Sequence, residues 1–435
     1  MSVPTDSIAT ASGPTVQPIG TRLSQPAPAV DPGGWREPQG RRHLVLPRTA
    51  AFAGLASILV VLFAASAAPS PFFVLYKQEW GFPSWLLSFA FAIYAVTLLL
   101  ALLTIGSLSD HVGRRPVLVG AIALQVIAMA LFAFAPNIET VVIARAIQGV
   151  ATGAATGALS AALTDLAPAG NRGLGAIVGS LAPFGGLAVG AILAGVVIDA
   201  VPNPVVATFV SFMILFLVAL VVVVIAPESV SERPGAVRSL IPRIAVPPRA
   251  RREFRSGIPI YLAGWMTGGL FLGLVPEILR DTFKIDSGLV SGAVIAVLSG
   301  IGTLAVFLSR RVRPRAVIVV GALSLVAGIA LVALSLLFGE FMLFGVGTVV
   351  AGFGFGMTFA GEVRATAPLA EAHERGEMFA AIYVVSYLSF GVPAIIAGLA
   401  VAEFNLVPTS IVYAVIVVVS AAVGVVVQLR HARVR

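Results

Sequence analysis

The chain of 435 residues is 58% hydrophobic and only 11% charged, well under the ~25% charged share usual in soluble domains, and it carries a formal net charge of +8 and no cysteine. That composition excludes a soluble fold, whose interior has no room for so much apolar surface, and the lack of cysteine excludes disulfides, thiolate metal sites and cysteine nucleophiles. Nor does the positive charge point to nucleic acid, because the basic residues fall between apolar runs rather than on one interleaved basic and aromatic surface.

In chain order, residues 1–50 come first. They are rich in Pro, Ser, Thr and Gly, show no apolar period and read as a disordered tail. They lack a signal-peptide pattern, so the tail is expected to stay attached. Apolar runs then recur near 50–76, 85–106, 116–135, 138–163, 174–198, 205–226, 257–279, 286–308, 316–338, 341–361, 377–401 and 407–428. Each is predicted to be a membrane-spanning helix, because a helix satisfies its own backbone polar groups in lipid. The twelve spans divide into 51–226 and 257–429, with a polar connector at 227–256 and a short C-terminal tail at 430–435.

Lysine and arginine alternate from side to side. With the N-terminus inside, Arg114, Arg115, Arg172, the seven arginines of the connector, Arg310, Arg311, Arg313, Arg315, Arg364 and Arg375 all share that side. Only Lys77, Arg145, Arg280 and Lys284 fall toward the other. The positive-inside rule therefore predicts cytoplasmic termini and a cytoplasmic connector.

The two sets of spans also echo each other. Shifting the second by 203 positions lays Glu374-Arg375-Gly376 on Asn171-Arg172-Gly173, Gly352 and Gly356 on Gly149 and Gly153, and Ala397-Gly398 on Ala194-Gly195. An offset of 200 lays Ser309 to Arg315 on Ser109 to Arg115, with the charge kept but Asp110 and Gly113 replaced by Arg310 and Arg313. Tandem halves of this kind commonly enclose a site near the bilayer midplane.

The densest cluster of charge and turn residues in the first set is Gly106-x-x-x-Asp110-x-x-Gly113-Arg114-Arg115, between spans two and three. Placed there among twelve spans, it resembles the signature loop of the major facilitator superfamily. Arg145-Ala146-Ile147-Gln148-Gly149 similarly resembles that superfamily's span-four motif. In span five, Ala182-Pro183-Phe184-Gly185-Gly186 partly matches the Gly-Pro and Gly-Gly signature of its drug and metabolite exporters. Alanine stands for one glycine, and the spacer is one residue instead of two.

The resemblance implies an all-helical integral membrane protein of two six-helix halves, working by proton-coupled export of small amphipathic molecules from the plasma membrane, as a monomer in the lipid bilayer. Two rivals stay open: an importer of a small metabolite, and a non-transporting sensor or scaffold. No enzyme constellation is present, and no cofactor is expected. His43, His111, His373 and His431 are too dispersed for a metal site, and the absence of a GxxxxGK[ST] run argues against ATP as the energy source. A proton gradient is the implied source.

Particular residues follow. The resemblance implies that Asp110 docks at the start of span eleven, near Gly376-Glu377, where free N–H groups and the helix dipole favour an anion. Arg114 and Arg115 would meet Asp165 at the end of span four, making the loop a latch. Arg145 lies inside span four, with Gln148 one turn away on the same side, so it should face the interior or water, and the resemblance implies a transport or coupling role for it, in proton movement or in recognition of substrate charge. Gly149, Gly153 and Gly157 stack on one helical face and Gly352, Gly354 and Gly356 on another, each admitting a close neighbour. Cavity candidates are Ser66, Ser70, Tyr76, Tyr94, Trp265, Thr267, Tyr383 and Tyr387. Spans one and two offer no acid before Asp110, so the coupling carboxylate is sought among Asp165, Asp199, Glu277, Glu340, Glu362 and Glu403. Of these, Glu277 follows Pro276 at the outer end of span seven, and Glu362 sits on the inner side with Arg364 close by.

Overall fold

In a computed structural model of the chain, residues 45–433 are described, apart from 172, 372 and 373 and the side chains of 84 and 431–433. The expected tail up to 44, Arg172 and the C-terminal residues 434–435 thus lie outside the described residues. Residues 48–50 already belong to the first helix.

The first crossing is one span, Arg48–Trp80, interrupted at a single residue. Helix α1 (Arg48–Ala67) gives way at Ala68 to α2 (Pro69–Trp80), because Pro69 has no N–H to continue the ladder. Then follow α3 (Ser84–Ile105), a single turn α4 (Ser109–Val112), α5 (Arg114–Ala133), α6 (Ile138–Asp165), α7 (Leu174–Ala200) and α8 (Pro204–Ile225). Asn137 caps α6, its side chain accepting from the Thr140 N–H at 3.0 Å. The connector contains one short helix, α9 (Ala236–Ser239), and its last residues already belong to α10 (Arg251–Gly273).

The seventh predicted span, 257–279, needs correction on two counts. Its helix starts earlier, at Arg251, and it is not continuous: α10 and α11 (Val275–Asp281) meet at a 50° bend. Gly273 precedes the break, and Pro276 in the first turn of α11 cannot donate across it. The remaining helices are α12 (Gly288–Ser309), α13 (Pro314–Phe338), α14 (Phe341–Thr366), a 3₁₀ turn at Ala367–Leu369, α15 (Arg375–Phe404) and α16 (Leu406–Arg433). Among the described residues, 11 helices are long and apolar enough to cross a membrane, and the bent pair raises the number to 12.

Pairings recur along the chain. Helix α3 packs on α6 as α12 packs on α14; α5 packs on α8 as α13 packs on α16; and α1 packs on α7 as α10 packs on α15. Glycine makes the closest approaches possible. A Cβ added at Gly149 or Gly153 would collide with Thr97 Oγ1 or the Leu98 carbonyl of α3, and one at Gly356 would collide with the Gly302 carbonyl of α12. Gly157 is looser, 3.5 Å from Gly106, and Gly354 faces α13 instead of sharing the face of Gly352 and Gly356. In α7, an added Cβ at Gly186 would lie 2.7 Å from the Val60 carbonyl of α1, whereas at Gly185 it would meet only Thr303, at 3.8 Å. Two further contacts join the early helices to the late ones, α3 against α15 and α7 against α12. Between them the bundle encloses its cavity.

Candidate functional site

At the end of the bundle that carries the 106–116 loop, the chain is held by charge. Gly113 turns at φ +98, a conformation that costs a side chain, and an added Cβ would stand 2.9 Å from Glu228 Oε2. Arg114 forms an ion pair with Asp110, donates to Ser109 Oγ at 2.8 Å and lies 3.6 Å from Asp165 Oδ2. The expected meeting of this arginine with Asp165 is present. Arg115 offers Asp165 no such contact; its backbone N–H donates to Glu228 instead.

Glu228 is a residue that sequence reading missed. Its carboxylate accepts from the N–H groups of Arg114 at 3.0 Å and Arg115 at 2.9 Å, capping the first turn of α5 where the helix dipole favours an anion. Nearby, the connector is tied to the loop, with the Arg233 N–H donating to the His111 carbonyl at 2.8 Å and Ser107 Oγ donating to the Ser239 carbonyl at 2.7 Å. Later in the connector, Arg249 bonds Glu371 and Glu374, and these hydrogen bonds, that of Glu371 first, hold its guanidinium above the usual arginine range.

Asp110 does not dock at the start of α15. A vestibule of about 1150 Å³ separates them, with Asp110 and Arg114 on one wall and Gly376 and Glu377 on another. This end of the bundle is open, and the carboxylate turns back to Arg114.

Thr156, Ser160 and Tyr383 border both the vestibule and a deeper cavity of about 140 Å³. The deeper cavity is aromatic. Trp265 lies 4.9 Å from the Tyr387 ring and 5.6 Å from that of Phe359, and Phe184 and Phe355 meet edge to face. Pro183, inside α7, also lines it. Of the cavity candidates, Ser66, Tyr94, Trp265, Tyr383 and Tyr387 line it. The other three do not: Ser70 donates to the Leu272 carbonyl, Thr267 to the Ala263 carbonyl at 2.9 Å, and Tyr76 stacks on Trp80. Ser70 is thus spent on a neighbouring helix, and Thr267 and Tyr76 on their own.

Arg145 reaches the cavity wall with 0% of its surface exposed. Its Nη1 donates to the Ser66 carbonyl at 3.0 Å and to Gln148 Oε1 at 2.8 Å, and Gln148 Nε2 in turn donates to the Ala65 carbonyl at 2.9 Å. Its guanidinium carbon lies 4.6 Å from the Tyr94 ring centre, 4.9 Å from that of Phe91 and 5.7 Å from that of Phe73.

The opposite end is shut. Lys77 and Glu277 form an ion pair across α2 and α11, so Glu277 belongs to this closure and not to the cavity. The Asp199 carboxylate at the end of α7 accepts from the N–H groups of Gly288 at 2.8 Å and Leu289 at 3.0 Å and from Ser287 Oγ at 2.7 Å, all at the start of α12. An added Cβ at Gly398 would collide with Ser88, so α15 and α3 touch here too. An isolated aspartate at a span end carries no sequence signal for such a role.

Glu362 lies off the cavity, between α14, α10 and α16. It has 0% exposure, whereas Glu253 and Glu277 each keep 8%. Gln428 Nε2 donates to its Oε1 at 3.2 Å, Oε2 has no hydrogen-bond partner, and Gly257 leaves it room that any Cβ would fill. Arg364 does not answer it; that guanidinium donates to the carbonyls of Ser309 at 2.9 Å and Val312 at 2.6 Å.

Comparison with known proteins agrees with this architecture. A family model described as Major Facilitator Superfamily matches residues 55–394. The crystal structure of the human organic anion transporter MFSD10 (TETRAN) superposes with a TM-score of 0.63 at 16% identity, covering 87% of this chain and 100% of that one, a likeness of fold. An uncharacterized transporter of Rickettsia bellii (strain RML369-C) is 42% identical over 64 residues, a match spanning 14% of this chain and 16% of that relative. With the family model covering most of its helices, the chain belongs to the Major Facilitator Superfamily, whose members are membrane transporters.

Proposed function

We propose that the chain is a secondary active transporter that exports small amphipathic molecules across the plasma membrane in exchange for protons, by alternating access. One observation carries this reading: an aromatic cavity that shares Thr156, Ser160 and Tyr383 with a wide vestibule at the loop end, while Asp199, Lys77 and Glu277 tie the other end together. A compartment open to one side only is what alternating access requires of each of its states. Two six-helix halves rock about the cavity, and the loop end, rich in arginine, faces the cytoplasm. When that end closes, the start of α15 receives Asp110.

Glu362 is the coupling carboxylate in this account. A fully buried acid inside a span is costly and calls for a functional reason, and this one has an oxygen without a partner. Purified protein in proteoliposomes should move protons when a transported compound is added. Glu362→Gln should abolish uphill transport driven by a pH gradient, yet keep exchange of labelled for unlabelled compound down no gradient. Equal loss of both activities in a correctly folded variant would remove Glu362 from the coupling step. Silence of the wild-type protein over a broad panel of amphipathic compounds would favour a sensor over a transporter.

A further inference from the structure

We infer that the transported molecule is an organic anion, an aromatic body bearing a carboxylate, held in the deep cavity by Arg145. The inference rests on the transporter reading above and specifies the charge and shape of its substrate. Arg145 is the largest fully buried side chain among the described residues. Both groups that accept its hydrogen bonds, the Ser66 carbonyl and the Gln148 amide oxygen, are neutral. Two of its donors, Nε and Nη2, have no partner at all. The rings of Tyr94, Phe91 and Phe73 offer their faces to the cation but cannot accept these N–H groups in the plane of the guanidinium.

A buried cation is tolerated when a carboxylate answers it, and a guanidinium presents its donors in a fork matched to one. Among the described residues, no aspartate or glutamate lines the cavity; Arg145 is the one charged wall residue, and Glu362 lies outside it. A neutral substrate could accept from Nε or Nη2 but would leave the buried charge uncompensated, and a cationic one would be repelled. A carboxylate accepts from both donors and answers the charge at once.

The rest of the cavity specifies the body of the molecule. Trp265, Tyr387, Phe184 and Phe355 present ring faces and edges around a space of about 140 Å³. A space of that order, about 150 Å³, accepts a benzene ring. The approach is also selective. Arg238 and Arg243 of the connector line the vestibule with Arg114, against two acids, Asp110, which is paired with Arg114, and Glu377, so the mouth keeps an excess of positive charge. Positive charge at the mouth of a low-dielectric cleft raises the local concentration of anions.

The test uses three probes that share one ring and chain: 4-phenylbutyrate, its amide and the corresponding amine. Binding to purified protein is followed by the fluorescence of the tryptophans, with Trp265 in the cavity wall, and transport by flux in proteoliposomes. The acid should bind more than about tenfold tighter than either the amide or the amine. Arg145→Gln should weaken the acid by about 30-fold or more while leaving the amide nearly unchanged, and Arg145→Lys should keep part of the preference. Arg238→Gln with Arg243→Gln, away from the cavity wall, should slow association of the acid and flatten its dependence on salt.

Equal binding of the three probes by the wild type, binding of none, or an acid preference that survives Arg145→Gln would overturn the inference. Displacement of the acid by an equal concentration of chloride would also overturn it, by revealing a site for inorganic anions. Flux of all three probes at one rate would sink the inference and leave the transporter reading standing. Selective binding of the acid without flux would do the reverse.

Discussion

Asp110 and Arg310 stand at matching places in the two halves of the sequence and do different work. The Asp110 side chain is 57% exposed, and its pairing with Arg114 bridges the Gly113 turn, so the ion pair contributes about 1 kcal/mol or less to stability. The proposed mechanism gives this residue, cheap to remove in this conformation, its main role in the state where the loop end is closed. Asp110→Asn should therefore leave expression and melting temperature close to wild type and cut transport at least tenfold, a difference worth about 1.4 kcal/mol. Arg310 rests on the Phe307 ring at 4.2 Å and faces outward, as a residue that reports topology would. Arg310→Gln should alter insertion at most and spare the flux of correctly inserted protein. Equal flux defects in the two variants would assign the loop to topology alone.

Helices α7 and α12 form the tightest crossing between the early and late parts of the chain, with Gly195 set against Gly288 and Gly292 against the Ala191 carbonyl. Asp199 closes the end of that crossing. Its three hydrogen bonds all come from the start of α12, three donors for one charge, where the dipole adds to the attraction. Asp199→Asn keeps the shape and loses the charge, and should shift the balance toward opening of this end by roughly 1 kcal/mol. A cysteine placed at Ser291, buried in the first turns of α12, would then react faster with an impermeant thiol reagent from that side. Unchanged reactivity would show that the glycine contacts hold the end shut without the carboxylate.

This end of the molecule was the least legible in the sequence. The spans themselves were readable because uninterrupted apolar runs have one stable form in lipid, and the Asp110 loop stood out as charge between two of them. What a helix that is apolar all round hides is its rotation. Ser70 and Thr267 looked as eligible for the cavity as Ser66 and Tyr94, and only the packed bundle shows the first two spent on the carbonyls of Leu272 and Ala263. Glu228 was overlooked, and Asp199 was weighed only as a coupling acid and not as a tie to α12, for a related reason. Their partners are backbone N–H groups at helix starts far along the chain, and such donors carry no residue-type signature.

Across the whole molecule, polar contacts concentrate at the two ends and apolar packing fills the body between. At one end, Asp199 and the Lys77–Glu277 pair are engaged; at the other, Asp110 and the start of α15 are held apart. Few in number and close to the ends of the bundle, these contacts suit the proposed exchange between two states that lie within a few kcal/mol of each other. The deep cavity with Arg145 lies between them, and in the proposed mechanism a bound substrate faces whichever end has opened.

Reciprocal motion of the two ends is the centre of this account, and the absence of native cysteine makes it measurable with introduced labels. Asn203 and Glu340 are exposed at the shut end, and Asn171 and Arg310 at the loop end. Each pair, replaced by cysteine and spin-labelled in lipid nanodiscs, gives a distance distribution by pulsed electron paramagnetic resonance at acidic and at alkaline pH. The account predicts two populations for each pair, with one pair lengthening as the other shortens when the pH changes. Distances that stay single and fixed at both ends, or that change in the same sense, would contradict it.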